Sequence, residues 1–122
     1  LRLGVGVQGV AVTRGLAEGR RLGRALGADD ATFAGLAGVG DLVACGNHPE
    51  HPGYNVGLSL ARGEPHARAA RSAEEALSLI ALAKRAGVEL PLVEAVAAIA
   101  AGKLRPRLAI DMLMRRGATR EE

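Results

Sequence analysis

Residues 35–46 read GLAGVGDLVACG and place four glycines within twelve positions. Inside a helix each glycine costs roughly 1 kcal/mol relative to alanine, but glycine permits positive φ and close backbone approach. Asp41 follows these glycines directly and precedes the apolar residues 42–44. The pattern predicts a glycine-rich turn leading into a short helix, whose dipole favours a charged carboxylate. Asp41 is therefore either the N-cap of that helix or a functional acid.

Helical periodicity extends on both sides of this turn, and no strand-like alternation of apolar and polar residues occurs. Over residues 5–26, Gly15, Gly19 and Gly23 recur four apart and form a ridge that a second helix could approach closely. Further helices are predicted at 30–36, 42–45, 54–61, 72–86, 91–101 and 106–116. We expect an all-α fold, a single bundle of about six to seven helices that occupies residues 1–122 as one domain.

Helix ends are marked by residues with known positional preferences. Pro91 and Pro106 are predicted as first helical residues, and Ser72 with Glu75 is predicted to form a capping box. The segment 46–53 contains two prolines and predicts an exposed loop. Helix C-termini are predicted at Gly27, Gly63, Gly87 and Gly102.

The composition limits the classes of function. Hydrophobic residues make up 48% of the 122 residues but aromatic residues only 2%, so the core must consist of small aliphatic side chains and closely spaced helices. A net charge of +3 is too small and dispersed to indicate nucleic-acid binding. No apolar run is long enough to span a membrane, and no signal peptide is visible, so we expect a cytoplasmic protein. The chain starts without Met, and we expect a fragment or a processed piece.

Two motifs suggest alternative chemistry. Residues 4–9, GVGVQG, match the dinucleotide fingerprint, but that motif requires a preceding strand, and helices are predicted here. Cys45, His48 and His51 are spaced three apart and could ligate zinc, although structural zinc motifs usually contain more cysteines. We predict neither a cofactor site nor a metal site in this chain, and a small metal-binding domain remains an alternative.

Two cations are candidates for anion binding. Arg14 lies beside the glycine ridge, so its guanidinium could turn inward towards a phosphate or a carboxylate. Lys103 lies at a helix junction, where it could bind an anion or interact with the dipole of the preceding helix.

The segments TRGLAE at 13–18 and GLAGVGDL at 35–42 resemble the C-terminal domain of bacterial NAD(P)-dependent glycerol-3-phosphate dehydrogenases. The resemblance runs in order along nearly the whole chain, including KRAGVELP at 84–91. It implies the all-helical bundle shared with 6-phosphogluconate dehydrogenase C-terminal domains. It also implies an enzyme that reduces dihydroxyacetone phosphate to glycerol 3-phosphate for phospholipid synthesis. The family's NAD(P)-binding domain and catalytic lysine would precede this chain, so we expect no hydride transfer by the chain alone.

Within this resemblance, Asp41 matches the active-site aspartate that helps to orient the catalytic lysine and the substrate. Cys45 stands where the family has Thr, and Gly6 where it has Asn. Residues 51–54, HPGY, replace a Ser-Arg-Asn-Arg run that supplies an arginine for phosphate or cofactor. Residues 67–70 lack the usual Val-Glu-Gly. These departures affect chemistry rather than the core. They leave three explanations open: a domain of a diverged dehydrogenase that acts on another substrate, an inactive relative that keeps the fold, or a protein in which Arg14 and Lys103 take over anion binding.

We therefore predict a substrate-binding domain with Asp41 as its catalytic residue and a phosphorylated small molecule as its partner. NAD(P) is expected once a dinucleotide-binding domain is supplied. The loop 47–55 would form the rim of the site. The predicted substrate-binding residues are Arg14, Cys45, Asn55 and Lys103. The alternative is a non-catalytic interaction module, a homodimer formed through the glycine ridge and the helix 72–86.

Overall fold

The computed structural model describes residues 4–29, 31 and 50–115. These residues are all-helical and form five helices rather than six to seven. Of the other predicted helices, 42–45 lies outside the described residues and 30–36 almost entirely so. The helices are α1 (Gly4–Ala25), α2 (Pro52–Ala61), α3 (Ala69–Ala86), α4 (Pro91–Ala100) and α5 (Pro106–Met114).

Helices α1 to α4 end in the same way, each at a glycine with positive φ. At the end of α4, Gly102 has φ +75°, its N–H donates to the Ile99 carbonyl at 3.0 Å, and the Lys103 N–H donates to the Ala98 carbonyl at 2.8 Å. This Schellman pattern satisfies carbonyls that the helix itself leaves open, and glycine adopts it without steric cost. The four predicted stops are confirmed, at Gly27, Gly63, Gly87 and Gly102.

The predicted helix starts are partly confirmed. Pro91 and Pro106 do begin α4 and α5. The capping box was wrong, because α3 begins at Ala69 and the Ser72 N–H already donates to the Arg68 carbonyl at 3.0 Å within the first turn. The N-cap is Arg68, without a side-chain capping bond, and in the preceding turn the His66 Nδ1 accepts the Arg68 N–H at 3.0 Å.

Helix α2 also begins earlier than predicted, at Pro52 rather than Tyr54, because a proline fits the first helical position. The predicted loop therefore ends before Pro52, and Asn55 lies in the first turn of α2, where its N–H donates to the His51 carbonyl at 3.2 Å. Among the described helices, none combines the length and apolarity needed to cross a membrane.

The core is built mainly from alanine. Helices α3 and α4 pack together most extensively, α1 packs on both of them, α5 packs on α4, and α2 packs on α3. Small side chains let helix axes approach closely, as the low aromatic content predicted. The buried hydrophobic side chains of the described residues are Ala17, Val56, Ala76, Ala83, Leu90, Ala97 and Ala109.

Candidate functional site

The predicted site residues divide between described and undescribed parts of the chain. Asp41 and Cys45 lie outside the described residues, as does His48 of the metal alternative. Arg14, Asn55 and Lys103 are described, on α1, on α2 and directly after α4. The catalytic assignment of Asp41 therefore stays a prediction, whereas the two cations lie among described residues.

Two charged side chains on α1 are buried. Arg14 is 6% exposed and Glu18 is 2% exposed. They are four residues apart on a helix and so lie on the same face, one turn from each other. Buried charges are costly unless hydrogen bonds or opposite charges compensate them, so both side chains need specific surroundings.

Glu18 obtains its hydrogen bonds from the start of α4. Its Oε2 accepts the Leu92 N–H at 2.6 Å and its Oε1 accepts the Val93 N–H at 3.2 Å. The first N–H groups of a helix have no partners within the helix, and the positive end of the helix dipole lies there. One carboxylate thus satisfies two open donors and has its charge stabilised in return.

The start of α4 needs this help because its own residues cannot provide a cap. Leu90 occupies the N-cap position with a side chain that cannot accept a hydrogen bond, and Pro91 has no N–H. Leu90 is itself 3% exposed, so that position contributes to the core. The acid that performs the capping lies on α1, 74 residues from Leu92 in sequence.

A second contact from α1 reaches the same junction. The Arg21 Nη1 donates to the Glu89 carbonyl, two residues before α4 begins. Arg14, Glu18 and Arg21 recur at helical spacing, so one face of α1 carries all three side chains. We refer to these three residues as the α1 polar face. Its charges are two cations and one anion.

Lys103 belongs to a different region. It is exposed and lines an open cleft of about 560 Å³ between the end of α2, the end of α4 and the start of α5. Lys103 directly follows the last carbonyls of α4, where a cation is favoured by the dipole. Arg14 is not among the described residues that line this cleft. The cleft residues are Leu60, Gly63, Glu64, Pro65, Ile99, Gly102, Lys103, Leu104, Arg105 and Pro106.

Asn55 lies on α2, one of the helices that line this cleft, but at the opposite end of that helix from the cleft. The residue is half-buried in the first turn of α2, whereas Leu60, in the last turn, lines the cleft. Five residues of α-helix correspond to roughly 7.5 Å along the axis. The structure thus places Arg14 on the α1 polar face, Asn55 at the start of α2 and Lys103 in the cleft.

The structure also bears on the two alternative motifs, the dinucleotide fingerprint and the metal site. The segment GVGVQG lies inside α1, which begins at Gly4, and a continuous helix cannot provide the strand–turn–helix geometry that holds a dinucleotide. The described residues therefore do not fit an NAD(P) site at this motif. No three His, Cys, Asp or Glu side chains cluster as metal ligands would within the ranges that the structure describes.

Sequence analysis did not assign Glu18 a role, although it lies within the TRGLAE segment. Capping signals are normally local, and nothing in residues 88–91 points to a residue on α1. A weaker signal was available: a proline at the first helical position without Ser, Thr, Asp or Asn before it implies that the cap comes from elsewhere.

Comparison with known proteins gives a consistent result. The family model described as NAD-dependent glycerol-3-phosphate dehydrogenase C-terminus matches residues 1–111. Proteins named glycerol-3-phosphate dehydrogenase [NAD(P)+] from Polaromonas sp. and Streptomyces coelicolor are 42% and 43% identical over 99% and 98% of this chain. A Salinibacter ruber relative of the same name is 44% identical over 90%. The matches span 36%, 38% and 34% of these relatives' lengths. No solved structure matches the chain.

Proposed function

The chain belongs to the family of NAD-dependent glycerol-3-phosphate dehydrogenase C-terminal domains, and we propose that it is the substrate-binding domain of such an enzyme. The proposed reaction interconverts glycerol 3-phosphate and dihydroxyacetone phosphate, with NAD(P) as the hydride carrier. One observation carries the proposal: sequence identity of 42% or more to three dehydrogenases of this name extends over 90% or more of the chain.

In the proposed site, Asp41 is the catalytic residue of this domain. A carboxylate next to a lysine favours the charged form of the amine, which can then donate a proton to the carbonyl oxygen of dihydroxyacetone phosphate. The lysine and the dinucleotide-binding residues are proposed to belong to another part of the enzyme. In the sequence, Asp41 lies between the two helices predicted at 30–36 and 42–45.

Arg14 is the proposed ligand of the substrate phosphate. A phosphate dianion requires charge-assisted donors, and the arginine that the family resemblance implies is replaced by Pro52, which opens α2 instead. The guanidinium of Arg14, on the α1 polar face, is a charge-assisted donor of this kind. Cys45 and Asn55 are proposed to contact the polar part of the substrate, and Lys103 is a second candidate cation.

A fusion protein tests the proposed function. We would replace the C-terminal region of the Streptomyces coelicolor relative by residues 1–122 and follow NADH and NADPH oxidation with dihydroxyacetone phosphate. The fusion is expected to be active, and Asp41→Asn is expected to lower kcat by about 10²–10⁴-fold, the usual contribution of the proton transfer that Asp41 is proposed to support through the lysine. Asp111→Asn, which changes an exposed carboxylate on α5, is the matched control and should leave kcat unchanged. A folded but inactive fusion, or an Asp41→Asn variant with full activity, would contradict the proposal.

Dimerisation is a second candidate role, and we propose α5 rather than the helix 72–86 as its surface. Leu108 and Met112 are 52% and 54% exposed and lie four residues apart on one face of α5. On α3, the exposed Leu77 and Leu79 are two residues apart and therefore face different directions. Light scattering should give a dimer mass that Met112→Glu reduces to the monomer. A monomeric parent chain would exclude this role.

We also propose that the enzyme works in the cytoplasm.

A further inference from the structure

Helix α4 depends on a cap that comes from another helix. The Leu92 and Val93 N–H groups donate to the two oxygens of Glu18 at 2.6 Å and 3.2 Å. Because each oxygen accepts one N–H, the carboxylate plane is fixed with respect to the α4 axis. A glutamine could offer only one acceptor oxygen and would direct its NH₂ group towards a donor.

This contact determines how α1 lies on α4. A side chain that is 2% exposed and bonded at both oxygens has little freedom, so it sets both the rotation of α1 about its axis and its position along α4. The bond from Arg21 to the Glu89 carbonyl holds the next turn of α1 against the same junction. Arg14 lies on the preceding turn of the same face, and its direction therefore follows from the placement of Glu18.

We infer that Glu18 is a positioning residue for Arg14: by capping α4 it holds α1 in the register at which the Arg14 guanidinium can bind the substrate phosphate. This inference rests on the proposed function, in which Arg14 is the phosphate ligand. Guanidinium recognition of phosphate depends on a planar fork of donors, so a small rotation of α1 is enough to lose one of two hydrogen bonds. Glu18 itself does not contact the substrate.

The test measures binding of glycerol 3-phosphate to the 122-residue chain by calorimetry, with glycerol as the ligand that lacks phosphate. Glu18→Gln is expected to weaken glycerol 3-phosphate binding about tenfold, within the range found for coupled neighbouring residues. The matched control is Glu94→Gln, the same substitution in the first turn of α4 at an exposed side chain. It should leave the affinity unchanged.

A double-mutant cycle separates positioning from a general loss of structure. Arg14→Lys keeps the charge, so residual binding stays measurable, but removes the fork whose direction matters. In this background Glu18→Gln should change the affinity less than about twofold, because the group that it positions is gone. If circular dichroism shows that Glu18→Gln does not fold, Glu18→Asp, which keeps the charge but is one methylene shorter, takes its place in the cycle.

The outcomes distinguish the inference from the proposed function. If the parent chain binds neither glycerol 3-phosphate nor inorganic phosphate, the proposed function is wrong, and the positioning role is wrong with it. If the parent chain binds but Glu18→Gln binds equally well, the positioning role alone is wrong. It is also wrong if the full loss caused by Glu18→Gln persists beside Arg14→Lys, because Glu18 would then act on the whole fold.

Discussion

At both ends of helix α4, backbone groups without a partner inside the helix obtain hydrogen bonds, but by different means. At the C-terminus, Gly102 closes the helix with hydrogen bonds to Ala98 and Ile99 that involve only neighbouring residues. At the N-terminus, the cap is a carboxylate from α1, 74 residues away in sequence. The local device stabilises one helix, whereas the remote device also joins two helices and fixes their register. Removal of the remote cap should therefore lower the free energy of unfolding more than removal of the local cap, and it should affect two helices rather than one.

The largest expected effect is on the remote cap. Glu18→Ala should lower the free energy of unfolding by about 3 kcal/mol, because two part-buried N–H groups lose their acceptor at roughly 1–3 kcal/mol each and can regain only part of it from water. Urea denaturation followed by circular dichroism measures this difference. Glu94→Ala is the control, expected within about 0.5 kcal/mol of the parent as an exposed substitution. Equal stability of the two variants would mean that the Glu18 contact contributes nothing.

A smaller loss is expected when a local cap is introduced at the same end. Leu90→Ser supplies the residue that a helix N-terminus prefers, worth about 1 kcal/mol, but removes a side chain that is 3% exposed, at a cost of about 3 kcal/mol. We expect a net loss of about 2 kcal/mol in the same denaturation measurement. A variant more stable than the parent would show that the position could have capped its own helix.

Substitution of the local cap should give the third largest change in stability. The sign of that change can be compared with the sign for the same substitution at another glycine. Gly102→Ala should destabilise by about 1 kcal/mol because φ is +75°, although no atom lies within 4 Å of the added Cβ. Gly57→Ala, inside α2 and also with open space around the Cβ, should stabilise by up to about 1 kcal/mol through helix propensity. Thermal denaturation should shift the midpoints in opposite directions, and shifts of the same sign would contradict the backbone explanation.

The smallest effect concerns a contact that involves neither end of α4. Arg71 and Glu75 form an exposed i,i+4 ion pair at 3.2 Å on α3. Arg71→Ala should cost about 0.3–0.5 kcal/mol, and 0.5 M NaCl should remove most of that difference by screening. A loss of unfolding free energy that is larger than 1 kcal/mol or unaffected by salt would mean that this surface pair contributes more to stability than exposed pairs generally do.

The same contrast explains what could be predicted from sequence. Gly27, Gly63, Gly87 and Gly102 and the two prolines at 91 and 106 act through their own backbone, so the helix ends that they mark were predicted correctly. The Ser72 box failed because the helix begins three residues earlier, at Ala69, where the N-cap Arg68 has no side-chain capping bond for a sequence pattern to reveal. The role of Glu18 could not be predicted because it depends on how α1 packs against α4. For Asp41 and Cys45, only the family resemblance provides a role.

We propose that this domain binds a phosphorylated three-carbon substrate beside the α1 polar face and Asp41. The most direct measurement is a titration of the ¹⁵N-labelled chain with glycerol 3-phosphate, followed by amide NMR shifts, with glycerol as the control ligand. We expect saturable shifts at Arg14, Glu18 and Asp41 with glycerol 3-phosphate and none with glycerol. Shifts confined to the Lys103 cleft, or no shift at Arg14 and Asp41 at saturating ligand, would contradict it.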